Sequence, residues 1–113
     1  MERNDFIRIH HMYDAASEAV SFMYGRTRDD LAVDRQLALS LVKEIEIIGE
    51  AAGRVSEKIK QDLPNIPWKE ITAMRNRLIH AYFDINLDIV WSCVQSELPE
   101  LISQLRKIPG IQQ

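Results

Sequence analysis

Apolar residues return every three or four positions along most of this chain, the period of helices with one face turned to a core. Phe6, Ile9, Tyr13, Ala16, Val20 and Met23 mark a first helix, which Asn4 or Asp5 can cap and Gly25 can stop. Arg26 to Asp30 is polar and turn-like, with Thr27 or Asp29 able to start a short helical turn. A second long helix is expected from about Ala32 to Val55, with Leu37, Leu41, Ile45, Ile48, Ala52 and Val55 as its main stripe. Leu39, Val42, Ile47 and Ala51 are apolar on its other sides, which suits a central helix or an oligomer interface. Gly49 and Gly53 are spaced to let another helix backbone come close.

Ser56 to Asp62 reads as a short capped turn closed by Leu63-Pro64. Pro67 suits the first position of a helix running to roughly Tyr82. Asn86 then caps a last helix on which Leu87, Val90, Val94, Leu98, Leu101, Leu105 and Ile108 step by three and four. Pro99 lacks the amide that would bond to Gln95, so a kink is expected there, and Pro109-Gly110 ends the run. No strand-like alternation, internal repeat or interdomain linker stands out. The expected architecture is all-α, a single domain over 1–113, folded as an up-and-down helical bundle of four main helices plus one or two short helices.

Composition narrows the setting. A chain of 113 residues with 46% hydrophobic content can bury a core of its own, though one small enough to gain from an added interface. No apolar run reaches a membrane span, and charged residues occupy the N-terminus where a signal peptide would be apolar, so a cytoplasmic protein is expected. The single Cys93 has no internal partner and sits on the apolar side of its helix, as a small hydrophobe. His10 and His11 are adjacent and diverge, so they lack the spacing of a one-helix metal pair and read as solvent-facing. A net charge of −3 argues against a general nucleic-acid coat. Between Ala52 and His80, however, six basic residues stand against three acidic ones, a local +3 that leaves the rest of the chain at −6. A basic flank could take a short stretch of RNA.

Within that flank, Trp68, Ile71, Met74, Leu78 and Ile79 fall in one helical arc of roughly 140°, and Arg75 lands in the middle of it. A guanidinium in an apolar stripe must meet a carboxylate, a partner chain or an anion. Glu46 and Glu50, four apart on the second helix, are candidate partners, with Glu44 another. Asn76 and His80 would lie over one another at the edge of the same arc. A cation, an amide and an imidazole side by side can act on a phosphate. Tyr82 could share that site only if the helix ends near Ala81.

The series Arg75-Asn76-x-x-x-His80-x-Tyr82 resembles the motif of the HEPN superfamily. Three flanks bring it close to the HepT-like toxin branch: Glu46-Ile47-Ile48-Gly49-Glu50-Ala51-Ala52, Ile66-Pro67-Trp68 and Leu87-Asp88-Ile89-Val90-Trp91. The likeness covers nearly the whole chain. It implies a HEPN-like helical homodimer acting on RNA as a metal-independent endoribonuclease without a cofactor. It also implies a toxin whose antitoxin partner is a minimal nucleotidyltransferase, with Tyr82 the residue that receives AMP and silences the activity.

The residues suit that reaction. Such an enzyme must activate a ribose 2′-OH and stabilise charge on the phosphorane. Histidine moves protons near neutrality, a role for His80. Arg75 can grip phosphate oxygens, and Asn76 can orient His80 or donate to the phosphate. One such histidine per chain is one short of an acid and a base, and a two-fold dimer would supply the second. An AMP group on Tyr82 would occlude and repel RNA. Two rival readings are a noncatalytic HEPN binding module that regulates or recruits a nucleotidyltransferase, and a nucleotide-binding helper. A plainer reading makes Arg75 a purely structural ion pair with Glu46 or Glu50, and His80 a helix C-terminal residue favoured by the dipole.

Overall fold

In the computed structural model, which describes residues 1–81 and 84–111 but not the side chains of residues 79–81, helices dominate the chain. The first, α1 (Arg3–Met23), buries Ile9, Met12, Ala15, Ala16, Ala19 and Met23. Its core stripe is therefore turned slightly from the expected one, with Phe6, Tyr13 and Val20 only partly buried at its margin. Asp5 does not cap α1. It is buried and accepts hydrogen bonds from the Ser56 amide at 2.8 Å and the Ser56 hydroxyl at 2.7 Å.

The short helical turn expected from Thr27 or Asp29 forms, and the second long helix begins at Arg35, three residues later than expected. Thr27 and Asp30 form a reciprocal capping box that opens α2 (Arg28–Val33), and α3 (Arg35–Arg54) begins afresh after Asp34. Asp34 causes the break: its carboxylate accepts from the Leu37 amide at 3.0 Å, so it acts as an N-cap. Leu37, Leu41, Ile45, Ile48, Ala52 and Val55 are all buried as expected, whereas Leu39 and Ile47 face outward.

Ser56 caps α4 (Glu57–Asp62), and α5 (Trp68–Leu78) follows. Pro67 lies one residue before α5 and accepts the Ile71 amide through its carbonyl. The motif helix ends at Leu78, four residues short of the expected end. The chain passes into a strand, β1 (Ile79–Ala81), which pairs antiparallel with β2 (Asp84–Ile85) in the register Ile79 to Ile85 and Ala81 to Asp84. The Asn86 amide reaches the Leu78 carbonyl at 2.6 Å, so the segment returns to the end of α5.

Asn86 caps α6 (Leu87–Ser92) by accepting from Ile89 at 3.1 Å. A π-helical stretch over Cys93–Glu97 then leads into α7 (Leu98–Arg106), with Pro99 in its first turn. The widened turn is how the helix passes the missing Pro99 amide. Among the described residues the bundle is held by α1 packing along α3 and α7, and by α3 packing along α5.

Candidate functional site

α5 passes close to α3 at Gly49 and, less closely, at Gly53. A side-chain carbon on Gly49 would stand 3.4 Å from the Ile71 carbonyl and 3.6 Å from that of Thr72, and one on Gly53 would meet only the Thr72 methyl at 3.7 Å. The Gly-x-x-x-Gly spacing thus serves an approach within the chain. Ile71, Met74 and Leu78 are fully buried and fix the rotation of α5; each such side chain stabilises by about 1.5–3 kcal/mol.

Arg75 does not sit in the apolar core. Its side chain is 55% exposed, and its Nε donates to Glu46 Oε2 at 2.6 Å. The helical wheel places it in the stripe, but Gly49 offers no side chain to cover this side of α5. One turn beyond the close approach the guanidinium therefore reaches open space beside α3 and meets Glu46, the partner residue types alone suggested. Glu50 pairs instead with Arg54 at 2.8 Å, one turn along its own helix. Glu44 is also not a partner of Arg75: it is buried beside Glu18, and burial first, then the Glu18 carboxyl, push it up to about 7.

Asn76 is exposed and borders a shallow depression with Gly49, Gly53 and Thr72 next to Arg75. Because α5 ends at Leu78, Asn76 and His80 are not stacked on one helix; the backbone of His80 belongs to β1. The side chain of His80, and Tyr82 altogether, lie outside the described residues. Arg77 turns away from Arg75 and is tied to Glu97 at 2.8 Å.

Beside the ion pair, the N-terminal half of α1 and the C-terminal half of α3 frame an open groove of about 570 Å³. Arg8, His11, Lys43, Arg54, Arg75 and Glu46 all line it. Arg8 and His11 escaped the motif-based reading because helical periodicity does not say which helices become neighbours. Among the described residues no group of three or more His, Cys, Asp and Glu side chains could hold a metal ion, and no helix is long and apolar enough to cross a membrane.

The family model described as ribonuclease HepT-like matches residues 12–108. A protein of Caldanaerobacter subterraneus subsp. tengcongensis, provisionally named as an RNase, is 33% identical over 100 residues, 88% of this chain and 89% of its own. One of Thermococcus cleftensis, provisionally named as a ribonuclease HepT, is 32% identical over 96 residues, 81% of this chain and 87% of its own. A Methanocaldococcus jannaschii protein named for both a gamma-glutamylcyclotransferase and a provisional RNase is 30% identical over 108 residues, 96% of this chain but 49% of its own. No solved structure gave a significant match.

Proposed function

The chain belongs to the HepT-like ribonuclease family, and from that premise we propose that it is a metal-independent endoribonuclease toxin of the HEPN type, paired with a minimal nucleotidyltransferase antitoxin. The observation that carries the reading is the exposed Arg75, gripped through Nε by Glu46 at the edge of an open groove. That grip is made through Nε, and the terminal nitrogens of a guanidinium are suited to a two-point contact with phosphate oxygens.

In the proposed reaction the ribose 2′-oxygen attacks the adjacent phosphorus while the bond from phosphorus to the 5′-oxygen breaks. One His80 takes the 2′ proton, and the second copy's His80 in a two-fold dimer gives one to the leaving oxygen. Arg75 stabilises the equatorial charge of the phosphorane, and Asn76 donates beside it. The product end is a 2′,3′-cyclic phosphate. AMP attached to Tyr82 would fill the same cleft with bulk and negative charge.

Purified protein incubated with RNA in EDTA tests this directly. Wild type is expected to cleave, with Arg75→Ala and His80→Ala each reduced at least about 100-fold, as for loss of a transition-state contact or a proton carrier. Equal cleavage by all three proteins would end the proposal. Light scattering at micromolar concentration should give a dimer, and incubation with the nucleotidyltransferase and ATP should add one AMP to wild type but none to Tyr82→Phe. The completeness of the Arg75–Glu46 pair favours one rival, a noncatalytic module that recruits a nucleotidyltransferase. Wild type inert on RNA yet stably bound to that enzyme would select it.

A further inference from the structure

The groove beside Arg75 carries more positive charge than the proposed chemistry uses. Its two acidic side chains are already neutralised, Glu46 by Arg75 and Glu50 by Arg54. Arg8 and Lys43 line the same groove from opposite walls, and among the described residues neither forms an ion pair. Counting lysines and arginines alone, the lining has four cations against two carboxylates, in a chain whose net charge is −3.

The placement is orderly. On α1, Arg8 and His11 are three apart and share a face; on α3, Lys43, Glu46, Glu50 and Arg54 recur at three and four. Lys43 to Arg54 spans about 16 Å of helix at 1.5 Å per residue. A single strand of a few nucleotides is of that length. Arg75 sits within this lining and not beyond it, so a strand held by Arg75 has Arg8 and Lys43 beside its neighbouring phosphates.

Resting on the endoribonuclease reading above, we infer that Arg8 and Lys43, with His11 in the same lining as a polar contact, form an accessory phosphate-binding strip. It holds the RNA strand flanking the linkage gripped at Arg75. Arg8 and His11 precede residue 12, where the family match begins. The groove also carries the half-exposed Ile7 and Ile47, which could instead meet a second copy of the chain. The lining's excess of two cations over carboxylates favours an anionic strand as the occupant.

The experiment uses the full chain with Arg8→Gln and Lys43→Gln together, and Lys107→Gln at the end of α7 as control. Binding of a fluorescent single-stranded RNA is followed by anisotropy across a salt series on a His80→Ala background, and cleavage kinetics on the active background. The double variant should bind at least about 10-fold more weakly and lose about 1.4 from the salt slope, near 0.7 per contact removed. KM should rise while kcat holds, and the control should match wild type. An unchanged affinity and slope in a chain that still cleaves RNA would overturn the strip and leave the nuclease reading standing. RNA binding that weakens as expected in a wild type unable to cleave would keep the strip and remove the nuclease. A change of oligomer mass in the double variant, with RNA affinity unaltered, would make the face a protein interface and overturn the strip.

Discussion

Arg75 Nε donates to Glu46 Oε2 at 2.6 Å across 29 residues of chain, joining the last turn of α5 to the middle of α3 at the rim of the groove. The pair is half in water, with the arginine side chain 55% exposed and the glutamate 29%. A pair so placed contributes little to folding, under about 1 kcal/mol. Under the proposed function its use is to hold Arg75 at the rim of the groove.

Glu46→Gln is therefore expected to leave the thermal midpoint within a few degrees of wild type and to lower kcat for RNA cleavage about 10-fold, with KM nearly unchanged. Glu46→Asp should recover part of the loss by keeping the charge at shorter reach. Steady-state kinetics beside a melting curve separates the two effects. A large fall in stability with unaltered kcat would make the pair structural.

Asp5 and Ser56 tie the start of α1 to the cap of α4. The Ser56 amide bond chiefly, and the Ser56 hydroxyl, hold the Asp5 carboxyl below its ordinary 3.8 against the opposing effect of burial. A depressed acid stabilises the fold above its unfolded pKa, and that stability is lost as pH falls through the folded value. Denaturant midpoints should accordingly drop below about pH 4. Asp5→Ala should cost on the order of 2 kcal/mol at neutral pH, because two donors lose their acceptor, and should flatten the acid limb.

Glu44 acts in the opposite sense. Burial and the neighbouring Glu18 raise it from 4.5 to about 7, so the folded state retains a proton that the unfolded chain gives up. Stability then falls as pH rises from about 4.5 to about 7 and stays low above. Glu44→Gln should remove that slope and raise the midpoint at pH 8, with little change at pH 5. Urea titrations at the two pH values check it, and equal slopes in wild type and variant would show that Glu44 does not titrate in the folded chain.

Much of this architecture is legible from spacing because most helices bury a single stripe, and a 3.6-residue period reports that directly. Asp34 was not readable as a break, since an aspartate also suits the wet side of a continuous helix. The β1–β2 pair is too short to show alternation. For the site, the need of Arg75 for a carboxylate pointed to Glu46, yet the wheel misjudged its burial. A wheel records direction from one axis and not where the neighbouring helix stops covering it. Glu50 was lost to Arg54 because a partner one turn away on the same helix needs no tertiary contact. Arg8 and Lys43 could not be joined from sequence at all, because nothing in the period of α1 names α3 as its neighbour.

The glycines of α3 give the sharpest test of how the site is built. At Gly49 an added methyl would sit against two backbone carbonyls of α5, the nearer at 3.4 Å, whereas at Gly53 it would touch only a threonine methyl at 3.7 Å. Alanine in a helix gains about 1 kcal/mol over glycine, so Gly53→Ala should be neutral or stabilising by up to that amount. Gly49→Ala, gaining the same propensity but crowding the carbonyls, should come out near zero. Gly49→Val must push α5 outward and should cost about 1–3 kcal/mol. The displacement carries Arg75 away from Glu46, so RNA cleavage should fall more steeply than stability does, measured where the variant is still fully folded. A Gly49→Val protein of wild-type stability and activity would mean that the close approach of α5 to α3 does not set the position of the arginine.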